Sequence, residues 1–172
     1  MTGIYFSGTG NTKYLHYKFL KEYDRSKNSF SIEDSETLER IKNDNEIVVG
    51  YPVQYSNIPK ILRDYIVDNR YVWKGKNIFI IATMGLFSGD GAGILARLLK
   101  NYGAVIVGGL HLKMPDSICD ERALKRSFEH NKRIVVKATE KICKCVDNIK
   151  NGKPPQEGLG TVCYWAGLFG QR

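Results

Sequence analysis

No stretch of this 172-residue chain comes near the roughly 18 to 20 consecutive apolar residues that a membrane-spanning helix needs. The first residues also lack the basic-then-apolar order of a signal peptide, so the expected location is cytoplasmic. Cysteine is sparse. Cys119, Cys143, Cys145 and Cys163 form no C-x-x-C pair, and Cys143 and Cys145 would point different ways on a helix, which predicts reduced, unpaired thiols. His16, His111 and His130 are scattered and read as structural or surface residues rather than ligands. No carboxylate pair, nucleophile with an adjacent base, or metal-ligand spacing stands out, so no catalytic set is expected. Internal repeats and low-complexity tracts are absent too, which leaves one domain as the expectation from length.

What is present is the composition of a soluble globular protein, 42% hydrophobic and 26% charged. The net charge of +8 points to an acidic partner or an anionic ligand, because a positive field speeds association with negative surfaces. Nucleic acid is not expected. Lysine and arginine are spread along the chain, and the mild concentration at Arg122, Lys125, Arg126, Lys132, Arg133 and Lys137 reads as one solvated helix face.

Apolar patterning alternates strands with helices. A short strand, Ile4-Tyr5-Phe6, is followed by a helical pattern through Tyr14, Leu15, Tyr17, Phe19 and Leu20 that breaks at Asp24 to Asn28. Ser29 to Ile32 is a weak strand at or near a sheet edge, and Ser35 to Lys42 a short capped helix. Glu46 to Tyr51 is a β-branched run of the kind buried on both faces of a parallel sheet, ended by Pro52. A helix over Lys60 to Asp68, the strand Ile78 to Thr83, a helix over Ala92 to Tyr102, the strand Ala104 to Leu110 and a long helix over Glu121 to Ile149 complete the series. This order predicts an α/β fold: a three-layer, doubly wound sheet of five parallel strands over residues 1–150, with 151–172 as an apolar tail or the start of a linker.

The first strand ends in Ser7-Gly8-Thr9-Gly10-Asn11-Thr12. Two glycines flanked by hydroxyls, running into a helix, aim several backbone N–H groups at one spot near the helix N-terminus, which favours an anion. A Walker A loop is excluded, since Thr12 and not glycine stands directly before Lys13, and a dinucleotide fingerprint fails where its third glycine should be. Two later loops, Pro52-Val53-Gln54-Tyr55 and the glycine-rich Met84-Gly85-Leu86-Phe87-Ser88-Gly89-Asp90-Gly91, also lie at carboxyl ends of core strands, where doubly wound sheets bind ligands. Together they predict one cleft with a phosphate end and a flat, partly apolar end.

The segment Ser7 to Thr12 resembles the S/T-x-T-G-N-T phosphate loop of flavodoxins, short-chain type because no long insertion interrupts the last strand. The resemblance implies FMN as cofactor. Ser7, Gly8, Thr9, Gly10, Asn11 and Thr12 would hold its phosphate. Pro52, Val53, Gln54 and Tyr55, with Met84, Gly85, Leu86 and Phe87, would flank the isoalloxazine, Tyr55 and Phe87 stacking near it and Gly85 presenting a backbone group at ring nitrogen N5. Four or five charge-assisted hydrogen bonds of about 1.5 to 3 kcal/mol each, plus a buried ring face, reach the roughly 12 kcal/mol of nanomolar binding after ordering costs. No covalent link is expected. With Tyr51-Pro52-Val53 and Met114-Pro115-Asp116, the set looks like the flavodoxin half of anaerobic flavodoxin-ferredoxin fusion proteins, whose four-cysteine iron-sulfur motifs are absent here.

The expected function is therefore a low-potential FMN electron carrier with an acidic redox partner protein, a ferredoxin-type module being one such class. The alternatives are an FMN-dependent NAD(P)H:quinone or flavin reductase, an oxidoreductase in the enzymatic sense, and a flavin-free interaction module. The apolar run Val162 to Phe169 calls for a partner surface, either another protein, its own domain or a second copy in a dimer.

Overall fold

The computed structural model describes residues 1–85, 89–115 and 127–160. In chain order the elements are β1 (Thr2–Tyr5), α1 (Asn11–Tyr23), β2 (Ser29–Ser31), α2 (Thr37–Lys42), β3 (Glu46–Pro52), α3 (Lys60–Asp68), β4 (Asn77–Met84), α4 (Gly91–Asn101), β5 (Val105–Lys113) and α5 (Phe128–Lys150). The five strands are all parallel, in the order β2-β1-β3-β4-β5, as the alternation predicts. The strand order reverses direction between β1 and β3, and the loops leaving those two strands part there to opposite faces.

Helices cover both faces, which is why β3 and β4 read as continuous apolar runs. Along β3, Ile47, Val49 and Tyr51 enter a core closed by Leu62 and Ile66 of α3, Trp73, and Leu95 and Leu99 of α4. Val48 points the other way, into a core with Leu15, Phe19 and Leu20 of α1 and Ile142 and Val146 of α5. Phe19 and Phe79 stack there at 5.4 Å between ring centroids. Among the described residues, no helix is long and apolar enough to cross a membrane.

Several boundaries differ from the sequence expectation. β3 continues through Pro52, which lies opposite Thr83; a proline is tolerated there because it is the last residue of the strand. β5 runs on to Lys113, pairing His111, Leu112 and Lys113 with Ala82, Thr83 and Met84. Ser127 is extended, with φ −63° and ψ 156°, and its hydroxyl accepts the His130 N–H at 3.2 Å. It caps a helix that starts at Phe128, so a continuous helix from Glu121 is overturned at this residue.

His16 is structural. Its ring fills the space left by two glycines: a Cβ on Gly50 would stand 2.5 Å from His16 Cδ2, and one on Gly3 would collide with the same ring. Nε2–H donates to the Val48 carbonyl at 3.1 Å, so Nδ1 accepts from the Ser29 hydroxyl at 2.6 Å. Complete burial pushes its pKa down to about 4, only partly opposed by the Val48 carbonyl.

After α5 the chain returns to the sheet. Gly109 N–H donates to Pro155 O at 2.8 Å, and Glu157 N–H donates back to Gly109 O at 3.0 Å. The Glu157 carboxylate accepts from His111 N–H at 2.9 Å and pairs with Lys141 of α5 at 2.6 Å. Leu159 packs against the first core. Cys143 and Cys145 are unpaired thiols, and burial pushes the Cys145 thiol up to about 12. Cys119, Cys163 and the apolar run Val162 to Phe169 lie outside the described residues.

Candidate functional site

The loop Phe6 to Gly10 leaves the carboxyl end of β1 and turns into α1 through Gly10, whose φ of 92° is the left-handed region that glycine enters without steric cost. The Ser7 hydroxyl sits inside the turn and accepts the N–H groups of Gly10 at 3.2 Å and Lys13 at 3.3 Å. An oxygen acceptor is thus already placed where these amides converge at the helix N-terminus. The first turn of α1 carries no acidic residue to repel an anion. The outer side of the loop is open: Gly8, Thr9 and Gly10 are exposed, and a Cβ built on Gly8 or Gly10 meets nothing within 4 Å. These residues fit a terminal phosphate, because donors converge, a stand-in oxygen shows where they point, and no side chain fills the approach.

The last two residues of the motif face elsewhere. Asn11 Nδ2 donates to Pro115 O at 2.9 Å, tying the cradle to the chain leaving β5. Thr12 is buried, and its hydroxyl lies 2.7 Å from that of Thr83 at the end of β4. Thr83 in turn donates to the Tyr51 carbonyl at 3.4 Å, which makes Thr12 the donor in the first bond. These two side chains brace the cradle from below.

At the same carboxyl edge of the sheet, the loops after β3 and β4 are interlocked. Val53 N–H donates to Thr83 O at 2.8 Å, and the buried Tyr51 hydroxyl donates to Gly91 O at 3.0 Å. Burial, with the charge of Asp90 second, raises the Tyr51 pKa, so this donor stays protonated. A Cβ on Gly91 would stand 2.8 Å from Val53 Cγ2, and one on Gly89 would collide with the Ser56 side chain. Asp90, itself buried, pairs with Arg97 of α4.

Between these anchors, Gln54 and Asn57 exchange backbone hydrogen bonds at 3.0 and 2.8 Å, closing a two-residue turn. Its central residues, Tyr55 at φ 49° and Ser56 at φ 58°, are both left-handed, the pattern of a type I′ turn that usually takes Asn-Gly. The turn carries Tyr55 out to 94% exposure. Pro52 and Val53 are half-buried, Gln54 and Gly85 are exposed, and Met84 is buried. Leu86 and Phe87 lie outside the described residues.

The structure therefore places Ser7, Gly8, Thr9 and Gly10 in one solvent-open loop at the amino end of α1, with Tyr55 and Gly85 exposed on the loops after β3 and β4. The Thr12–Thr83 brace and the Asp90–Arg97 pair escaped the sequence reading; the first joins residues whose nearness depends on the folded sheet, and the second joins residues seven apart, two turns along α4. Among the described residues no group of histidines, cysteines or carboxylates is placed to hold a metal ion.

No family model and no curated protein sequence matches the chain. Its fold does match solved structures. The two-electron reduced flavodoxin of Megasphaera elsdenii superposes with a TM-score of 0.59 at 20% identity, covering 84% of this chain and 99% of that one. Flavodoxin 2 from Bacillus cereus gives 0.60 at 16% identity over 88% and 97% of the two chains. The Trp repressor binding protein from Bacillus subtilis gives 0.61 at 14% identity over 84% and 96%. The chain has the flavodoxin-like α/β fold, with a five-stranded parallel sheet matching the short-chain flavodoxins.

Proposed function

We propose that this chain is an FMN-binding, flavodoxin-like electron-transfer protein, a low-potential carrier rather than an enzyme with its own acid-base machinery. One observation carries the reading: the Ser7 hydroxyl, Gly10 N–H and Lys13 N–H converge at the amino end of α1 beneath an open, glycine-lined approach. The place of that convergence, at the switch point of a flavodoxin-like sheet, supports it. FMN, when bound, supplies the redox chemistry.

The protein's own part is to hold and orient. Ser7, Thr9 and the amides of the cradle bind the phosphate, while Asn11 and Thr12 fix the first turn of α1 to Pro115 and Thr83. The interlocked loops set the position of Tyr55 and Gly85, and Tyr55 offers its ring face to the isoalloxazine. Leu86 and Phe87 belong to the same wall in this reading. The net charge of +8 suits an acidic redox partner in the cytoplasm, a ferredoxin-type module being the natural class in view of the resemblance to flavodoxin-ferredoxin fusion proteins.

The test is the absorbance spectrum of the purified protein from about 300 to 700 nm, before and after incubation with FMN and removal of the excess. Oxidised-flavin bands that stay with the protein, followed by reversible reduction with dithionite and slow reduction by NAD(P)H, are the expected result. Rapid reduction by NAD(P)H moves the protein to the reductase class. A colourless protein that does not retain FMN overturns the reading in favour of a flavin-free interaction module.

A further inference from the structure

We propose that a cleft beside the cradle takes the adenosine end of a flavin dinucleotide, so that this chain binds FAD more tightly than FMN. The proposal rests on the reading of Ser7 to Thr12 as a flavin-phosphate cradle and extends it beyond the first phosphate.

The cleft has a volume of about 300 Å³ and is lined by Tyr5, Gly10, Lys13, Tyr14, Tyr17 and Ser29. Gly10 and Lys13 belong to the cradle as well, since their N–H groups are the ones bonded to Ser7. Gly10, Lys13 with Tyr14, and Tyr17 follow one another at helical spacing, so they form one stripe on α1 that leads roughly 10 Å away from the cradle at 1.5 Å per residue. A ligand that starts in the cradle and continues along this stripe meets each group in turn.

The chemistry along the stripe matches the order of groups in a dinucleotide. The cradle's outer side is unroofed, with nothing within 4 Å of a Cβ on Gly8 or Gly10, so a phosphate held there has a free path outward. Lys13 is exposed and its ammonium makes no ion pair or hydrogen bond among the described residues, which leaves its charge for a second phosphate. Tyr14 and Tyr17 are 43% and 51% exposed, and Tyr14 and the face of Tyr17 away from the Lys21 ammonium, which stands 5.5 Å from the Tyr17 ring centroid, offer aromatic surface to a base. At the floor, the Ser29 hydroxyl spends its proton on His16 Nδ1, so its oxygen remains an acceptor for an amino group such as that of adenine. A free anion would need only the cradle, and a greasy partner helix would not need Lys13.

Flavin-fluorescence quenching on the apoprotein with FMN and with FAD tests this, in the wild type and in the Tyr14→Ala/Tyr17→Ala double variant. Both tyrosines project from a helix surface, so alanine is compatible with folding, which far-UV circular dichroism checks. The expected result is FAD binding about 5- to 100-fold tighter than FMN in the wild type, the range for one base stacked on aromatic side chains. In the double variant that ratio falls several-fold, to what Lys13 alone supports, while the FMN dissociation constant stays within about twofold. FMN binding with no FAD preference, or a preference the double variant keeps, overturns the proposal and leaves the cradle reading intact. Failure of both flavins to bind overturns the cradle reading itself, and this proposal with it.

Discussion

In the loop after β1, Ser7 is bonded to amides three and six residues further on and the loop lies open to solvent. At the loops after β3 and β4, Tyr51 reaches Gly91 across 40 residues of sequence, and Val53 and Ser56 are packed against glycines of the loop after β4. The first wall's outer face, Ser7 to Gly10, is built from local chemistry, backbone donors and a hydroxyl, and only Asn11 and Thr12 beneath it tie into the rest of the fold. The second is an extension of the core, and its shape cannot change without disturbing the packing beneath. Changes to the cradle should therefore alter binding and spare stability, whereas changes to the other wall should alter stability first.

The largest expected effect tests the cradle half of that contrast. Ser7→Asp keeps an acceptor for the Gly10 and Lys13 amides, so the urea midpoint should not fall, but its carboxylate faces any bound phosphate. FMN affinity should drop 100-fold or more, about 3 kcal/mol. A parallel loss of stability would show that the cradle is as much a part of the core as the other wall.

Acid should loosen the helix that carries the cradle. The His16 pKa is lowered to about 4 from 6.5, so between these values the unfolded chain binds more protons than the folded one and stability falls as pH falls. The expected loss is about 3 kcal/mol from pH 6.5 to 4, read as urea midpoints across that range. Burial lowers the His111 pKa as well, which adds in the same direction. A flat profile would mean that His16 is not held neutral on the buried face of α1.

Smaller effects belong to the second wall. Gly89→Ala places a Cβ against Ser56 at a backbone φ of 50°, and should cost about 2 kcal/mol by thermal or urea unfolding. Tyr51→Phe removes the buried bond to Gly91 O and should cost about 1 to 2 kcal/mol. The smallest change has the opposite sign: Tyr55→Asn relieves a left-handed tyrosine and should stabilise by about 0.5 to 1 kcal/mol while weakening FMN. A tyrosine that can be replaced with a gain in stability and no loss of FMN would remove the reason for its 94% exposure.

The same contrast explains what could be read in advance. The strands and helices follow from periodicity, and the cradle from six consecutive letters, because each is specified by neighbours in sequence. The same six letters place Thr12 at the phosphate, and they cannot show that its hydroxyl meets that of Thr83, 71 residues away. The turn at Tyr55-Ser56 lacks the Asn-Gly that normally announces a type I′ turn, so nothing in its letters shows the positive φ values. Leu86 and Phe87 lie outside the described residues. The helix formers between Glu121 and Ser127 predict an earlier start for α5 than Phe128, where the extended, capping Ser127 begins it.

The return of residues 154–159 along β5 bears on how this molecule behaves in a crowded solution. Backbone bonds at Gly109 and the Gln156 side chain on Val107 O occupy the outer margin of a nine-residue strand. Among the described residues, the margin left uncovered is β2, only three residues long and followed by Glu33 and Asp34. A short margin beside two carboxylates is a poor template for another chain to pair with. Removing Glu157 and its neighbours would uncover the longer one, turning a covered strand into a site for self-association.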